Sequence, residues 1–491
     1  MGIVIKQSAK NIVITYFGFG IGAVNALFLY TNFLGKEHYG IVGFLLSGAN
    51  ILMPLMAFGV HNTMIRFFSR CKSEEEREQF MSFMLLMPIL LIVPLGLVIY
   101  FFYDWIVAAI VLKNPSVGPF LWLIPVIGIC MAYFEIFYAW VKVHMKSVFG
   151  NFISEVLVRI IIMLLLLAVH LHYISKSDFI YCLSGAYGLQ FLAMNLYAIY
   201  VKAPKLIFKL PDNTKELMAY GLFIILSGSV ATLLIDFDKV MIPAYKAITE
   251  NAIYSVAIFI ATVIAVPSRA MLQIIYPITA KLMSENKYEE LNDLYQKSAI
   301  TLQVIGGFIM LGIFLNIDQM YRIIPGNYAS GTLVVFVIGL SKFCDVILGN
   351  NNAIILNTKY YKWVMCFGVL TIFLMFALLK LLLPLYGIDG AAFATLITVI
   401  VYNTVKLLFV VKKMDLYPFS LNTVKSLGII ATIFLGFYFW DFTFHPIINI
   451  ILKSVLIGVL YVWANYKLKI SVEINTLIDQ IIIRLKGYIT A

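Results

Sequence analysis

Charge is what this sequence has least of. Only 12% of its 491 residues are charged, just 25 are acidic, and 62% are hydrophobic. An ordinary soluble domain carries roughly a quarter charged residues. A chain this apolar cannot cover a water-facing surface with polar atoms, so most of its surface must face lipid. Cysteine is scarce too. The five present (Cys71, Cys130, Cys182, Cys344, Cys366) are scattered and show no C-x-x-C spacing. Four lie in apolar segments, where a free thiol behaves as a small hydrophobe. Neither a disulfide framework nor a zinc site is implied, and no cofactor is expected. There is no G-x-x-x-x-G-K-[ST] loop to hold a nucleotide. The connections between apolar runs reach at most about 25 residues, far short of a soluble catalytic domain.

What is there instead is a succession of long apolar runs. A membrane-crossing helix needs about 20 such residues. Candidate spans are 11–34, 39–60, 80–103, 118–141, 152–172, 178–201, 217–243, 251–275, 299–316, 331–350, 362–384, 388–411, 427–443 and 446–464. The expected class is an all-α integral membrane protein with about 14 transmembrane helices. The opening MGIVIKQSAKN leads straight into a first span longer than a signal-peptide core, so we expect a retained helix. The closing ISVEINTLIDQIIIRLKGYITA reads as a short amphipathic helix on the inner leaflet.

The net charge of +11 sits in the short connections, without aromatic interleaving. That argues against nucleic acid as a partner and for loops held at an anionic leaflet. With a cytoplasmic N-terminus, about 24 Lys/Arg fall in cytoplasmic segments, about 7 in external ones and about 5 within spans. Both termini are therefore expected in the cytoplasm.

An internal repeat is visible. SRCKSEEEREQF (69–80) is echoed by AKLMSENKYEEL (280–291), and YGIVGFLL (39–46) by NAIYSVAIF (251–259). A shift of six helices gives two halves of the same orientation, the parallel kind of repeat that frames a central site.

These residues then look familiar. YGLFIILSGSVATLLIDFDKVMI (220–242), AIYSVAIFIATVIAVPSRAMLQIIYP (252–277) and LPLYGIDGAAFATLITVIVYNTVKLLFV (383–410), the last with a G-x-x-GAA-x-AT start, resemble segments of Wzx-type polysaccharide and O-antigen flippases. These belong to the multidrug/oligosaccharidyl-lipid/polysaccharide exporter superfamily. The resemblance implies two pseudo-symmetric six-helix lobes around a central cavity, 1–210 and 211–415. It adds two C-terminal helices over 416–464, with 465–491 left as the cytoplasmic tail. It implies alternating access in a bacterial inner membrane, and a cargo of sugar units on polyprenyl diphosphate for O-antigen or capsule. A polysaccharide polymerase and chain-length machinery are the candidate protein partners.

Charges inside spans are the candidate site. A charge at the bilayer centre costs on the order of 3 kcal/mol on insertion scales and usually faces a cavity or a partner. Arg159 has Glu155 four residues before it on the same face, and Glu135 as a second candidate partner. Arg269 lacks an acid within a helical turn and can snorkel to the headgroups. Lys342 has Asp345 one turn on. Asp236, Asp238 and Lys239 lie in the outer part of span seven. The cations Arg159, Arg269, Lys342 and Lys239 form a series in depth suited to handing on a diphosphate. Asp236, Asp238, Asp345 and Glu135 can bind a coupling proton or sodium ion. Asn25 is a polar cavity candidate. The D-x-D of Asp236 and Asp238 fails as a sugar-nucleotide clamp, because it follows a long uncharged run toward the outer face. Gly18-x-x-x-Gly22 permits close helix packing, and His170 with His172 reads as a solvated pair at the outer interface.

The leading expectation is thus a flippase of lipid-linked oligosaccharides rather than an enzyme. The alternatives are a multidrug extruder of the same superfamily, which would favour an acidic cavity, and a membrane polysaccharide polymerase or ligase. The latter tends to carry a long external loop that this chain lacks.

Overall fold

The structure, a computed structural model, describes residues 2–205 and 207–489. Among them there are only helices and short connections. In chain order the first helices are α1 (Gly2–Val24), α2 (Gly35–Met56), α3 (Val60–Phe67), α4 (Glu74–Leu86), α5 (Ile89–Val111) and α6 (Leu123–Val143). Then come α7 (Ser147–Phe152), α8 (Val158–His170), α9 (Lys176–Val201), α10 (Thr214–Tyr245) and α11 (Ile248–Thr262). They are followed by α12 (Val266–Ser284), α13 (Tyr288–Phe314), α14 (Ile317–Ile323), α15 (Thr332–Val346) and α16 (Asn351–Leu356). The last are α17 (Tyr361–Met414), α18 (Leu421–Phe437), α19 (Pro446–Lys467) and α20 (Val472–Ile489).

Each expected span falls on one helix or on consecutive helical pieces. Ten helical stretches among the described residues are long and apolar enough to cross a membrane. Two of these, Lys10–Met56 and Lys362–Met414, each hold two spans divided at a glycine with positive φ, Gly35 and Gly387. Helix α10 and the shorter apolar α18 supply the remainder, which accounts for about 14 crossings. The fold is an all-helical, multi-pass membrane protein.

By its contacts the chain divides into two units, residues 1–255 with 376–391, and residues 256–375 with 392–491. The boundary at 255 puts α10 in the first unit, where it packs along α2.

In unit 1, α2 lies against α6 and α10, and α6 against α9. In lipid there is little hydrophobic gain from pressing apolar helices together, so close approach and interhelical hydrogen bonds do the holding. Gly40 shows the first: a Cβ there would collide with the Ile248 carbonyl oxygen. Asn251 shows the second, its Nδ2 donating to the Gly40 oxygen at 3.0 Å. Gly40 and Asn251 lie in the two members of one sequence echo, so related segments of the repeat touch each other. At one end Asn114 clasps the backbone of the α10–α11 connection. It donates to the oxygens of Pro243 (2.7 Å) and Lys246 (3.0 Å) and accepts from the Ile248 N–H at 2.7 Å. At the other end the basic connection after α9 pairs with acids of α4, Lys205 with Glu78 at 2.7 Å and Lys202 with Glu74. Arg70 meets Glu216 of α10 at 3.1 Å.

The G-x-x-GAA motif has a structural reason within this unit. Gly387 sits at φ 62, ψ −140, where the two halves of α17 meet. A Cβ on Gly390 would run into the Leu382 carbonyl oxygen.

In unit 2, α13 packs with α12, α15 and α18, and α14 with α19. Lys453, only 2% exposed, is paired with Asp441 at 2.8 Å, and Gln319 donates to the other carboxylate oxygen at 3.3 Å. The tail is helical as α20 and meets α13 through Ser471 and Thr301, 3.0 Å apart. Leu477, Ile481 and Ile483 remain exposed on it, while positions 490 and 491 lie outside the described residues.

The tight turn yields a test. Gly390→Ala drives a methyl into backbone, so we expect the apparent Tm of the purified protein to fall by several degrees, about 2 kcal/mol or more. Gly428→Ala, where a Cβ would meet nothing within 4 Å, is expected to leave Tm unchanged in the same thermal-shift measurement.

Candidate functional site

The feature that gathers most of the candidate residues is a cavity of about 330 Å³ inside unit 1. Its walls carry Asn25, Asn50, Glu135, Arg159, Tyr187 and Gln190 among apolar neighbours. The local backbone that presents them is irregular. Residues Asn25–Leu34 and Ile153–Leu157 are π-helical, a wider winding that is frequent at functional sites. Asn25 opens the first π segment, Glu155 lies within the second, and Arg159 follows shortly after it in α8.

Arg159 is held from three directions. Its Nη2 pairs with Glu155 Oε2 at 3.0 Å, which is the local ion pair expected from the i, i+4 spacing. Its carbonyl oxygen accepts from Asn25 Nδ2 at 2.8 Å. Its guanidinium lies over Gly18 and Gly22 of α1, within 3.0 and 3.4 Å of where their Cβ atoms would be. The Gly18-x-x-x-Gly22 spacing therefore serves close packing on an arginine as well as on a helix. The Nη1 atom is buried and has no hydrogen-bond partner among the described residues. Glu135 shares the cavity wall and is not within ion-pair distance of Arg159 among the described residues.

Span seven is wired to this wall. Asp236, 6% exposed, accepts from Ser47 Oγ at 2.7 Å and from Asn50 Nδ2 at 3.2 Å, and pairs with Lys239 at 3.2 Å. Asn50 lines the cavity, so the Asp236–Lys239 pair stands one hydrogen bond behind it. Asp238 points elsewhere and accepts from the Tyr254 hydroxyl. The two carboxylates of the D-x-D thus serve different partners, as residues two apart on a helix must.

Unit 2 holds a second, smaller constellation. Asp345 and Lys406 line a cavity of about 40 Å³ with Ser268, Asn351 and Asn352. Asp345 accepts from Asn403 at 3.2 Å. Lys406, 1% exposed, donates to Asn352 Oδ1 at 3.0 Å and lies 4.0 Å from the Tyr402 ring centre. The chain breaks between α15 and α16 at Gly349, φ +53, and three consecutive asparagines tie the break to three helices. Asn350 donates to Thr279, Asn351 to Tyr295 at 2.7 Å, and Asn352 receives Lys406. Lys342 is half-buried in α15. Arg269 is exposed and makes no hydrogen bond or ion pair among the described residues. His170 stacks on Phe33 at 4.4 Å between ring centres.

A model of the family described as polysaccharide biosynthesis protein matches residues 4–283, more than half of the chain. The chain belongs to that family. Among solved structures it is similar to the lipid II flippase MurJ in an inward closed conformation. The TM-score is 0.74 at 17% identity, over 93% of this chain and 98% of that one. It is also similar to an inward-facing multidrug resistance MATE family transporter of the MOP superfamily, with TM-score 0.60 and 12% identity over 83% and 98%. A third is the MATE multidrug transporter DinF-BH, at TM-score 0.56 and 13% identity over 85% and 97%. At such identities the likeness is one of fold. No curated protein matches this sequence.

Several residues of these sites escape sequence reasoning. Ser47, Asn50, Tyr187 and Gln190 are uncharged and sit where any span carries a few polar residues. The asparagine run at 350–352 looks like a span end rather than a break within a packed unit. Lys406 does leave a signal in the chain, as a lone cation well inside an apolar run.

The Glu155–Arg159 pair gives a prediction for stability. Arg159→Ala leaves Glu155 facing a polar gap alone, and Glu155→Ala leaves the guanidinium so. We expect the double variant to lose less apparent stability than the two single losses added, by about 1–2 kcal/mol. A double-mutant cycle on thermal midpoints in lipid nanodiscs measures this coupling; strict additivity would show that the pair is energetically idle.

Proposed function

We propose that the protein is a flippase that moves oligosaccharide units linked to polyprenyl diphosphate from the cytoplasmic to the outer leaflet for surface polysaccharide synthesis. The observation that carries this reading is a polar, charge-bearing cavity within a lipid-facing helical unit, in a chain of the polysaccharide biosynthesis family. A lipid-linked substrate also agrees with the fold it shares with a lipid II flippase. The protein acts as a transporter without a covalent step, by alternating access coupled to a proton or sodium ion. Asp236, Asp238, Asp345 and Glu135 are the acids we assign to that coupling. It resides in a bacterial inner membrane with both termini in the cytoplasm, the orientation that puts most of its lysines and arginines inside. A polysaccharide polymerase and chain-length machinery are its proposed protein partners, and O-antigen or capsule its end product.

The diphosphate requires cations with free donors. Arg269 meets that requirement best, being exposed and without a protein partner among the described residues. Lys342 and Lys239 continue the proposed path, each already in contact with other groups of the protein. A second reading has one observation in its favour: Arg159 is answered by Glu155 and shares its cavity with Glu135, and an acidic wall suits an extruder of lipophilic cations.

The test is made in a strain lacking this gene and its close relatives. Polyprenyl-linked glycans are expected to accumulate with their sugars on the cytoplasmic face and to clear when the wild-type chain is restored. Arg269→Ala is expected to slow that clearance about tenfold or more, the loss of one charge-assisted contact. Finished but unpolymerised units on the outer face would make the protein a polymerase and end the transport reading.

A further inference from the structure

The cavity of unit 1 has the wrong charge for a diphosphate. One guanidinium, Arg159, is set against two carboxylates: Glu155, which pairs with it at 3.0 Å, and Glu135 on the same wall. With Glu135 ionised the set is net negative, and with it protonated the set is neutral. In neither state is it positive. The neighbouring cations lie outside the lining. Lys239 is spent on Asp236 behind Asn50, and Lys142, two turns along α6 from Glu135, lies 3.6 Å over the Tyr138 ring. A group with two negative charges entering here gains little from Arg159 and is repelled by Glu135.

What the walls do offer is a mixed set of uncommitted donors and acceptors. Asn25 is 3% exposed, and its Oδ1 is buried without a partner among the described residues. Arg159 Nη1 is likewise buried and unpartnered among them. Gln190 is 6% exposed, lines the cavity, and makes no hydrogen bond among the described residues. Tyr187 and Glu135 line the same cavity. A buried amide without a partner is costly, and a carboxylate can accept from two hydroxyls at once. Phe134, Met53 and Met131 supply apolar surface between these groups. Convergent amides, a carboxylate and apolar wall suit a ring bearing several hydroxyls. A cavity of about 330 Å³ lies at the small end of small-molecule sites, the size for one sugar residue rather than a whole oligosaccharide.

We propose that this cavity recognises an uncharged or amino sugar ring of the cargo, and that its diphosphate is held elsewhere. The inference rests on the flippase reading and divides the cargo between two kinds of contact. Gln190 and Tyr187 read the sugar hydroxyls, Glu135 accepts from a pair of them, and Asn25 and Arg159 complete the ring of partners.

The experiment is a thermal-shift series on the full chain in nanodiscs. The probes are neutral sugars (maltotriose, chitotriose, lactose), inorganic pyrophosphate and the lipophilic cation tetraphenylphosphonium. At least one sugar is expected to raise Tm by about 2 °C at saturation, with pyrophosphate inert. Gln190→Leu and Tyr187→Phe, each first shown to keep the unliganded Tm, are expected to abolish that shift. A shift by pyrophosphate alone, lost in Arg159→Ala, would overturn the sugar assignment and leave the flippase standing. A shift by tetraphenylphosphonium alone would overturn both, in favour of an extruder. A response to none of the probes would also overturn the sugar assignment, and the accumulation of lipid-linked glycans would then decide the flippase reading on its own.

Discussion

Inside a bilayer, every helix surface is already surrounded by something as apolar as itself, so contact between apolar faces cannot by itself hold helices together. What remains is close approach and polar pairing, and the structure is built from both. Gly40 and Gly18 allow backbones or long side chains to come within reach that any Cβ would block. Asn251, Asn114 and Asn25 spend their amide groups on carbonyl oxygens of neighbouring segments. Asparagine recurs because it can both donate and accept without carrying a charge that lipid would penalise.

The same constraint governs the charges. A buried ion that lacks a partner is expensive, and several of the charges within the spans are answered. Glu155 answers Arg159, Lys239 answers Asp236, and Asp441 answers Lys453. This pairing leaves few free charges for a ligand, and it is the distribution of what stays free that carries functional meaning. Around the larger cavity the free groups are mostly neutral. Arg269, by contrast, keeps its whole guanidinium open among the described residues. Irregular backbone marks both constellations: π segments flank the cavity of unit 1, and a glycine-centred break borders the smaller cavity of unit 2. Such departures expose carbonyl and amide groups that a regular helix keeps to itself.

Much of this is legible in the chain. Arg159, Glu135 and Asn25 each stand out as polar residues in apolar runs, and the structure gathers them on one cavity wall. The Glu155–Arg159 pair follows from helical spacing alone. The D-x-D is harder. Close in sequence, its two aspartates turn to Ser47 and Asn50 on one side and to Tyr254 on the other, partners from distant segments that no local pattern announces. The asparagine break at 350–352 is invisible for a related reason: three amides acquire meaning only through the three helices they reach.

Read along the chain, the residues are enough to say which solvent this protein lives in, how many times it crosses the membrane and which of its positions carry charge. Apolar run length and charge scarcity are local properties, and lipid acts on them residue by residue. Which charges cancel is only partly local: helical spacing brings Glu155 to Arg159 and Asp236 to Lys239, and folding decides what else stands beside each pair. The polar groups that hold such a pair in place come from more than a hundred positions away, as Asn25 does for Arg159 and Ser47 and Asn50 do for Asp236. Net charge at a site is a sum over such neighbours, and only the folded chain performs it.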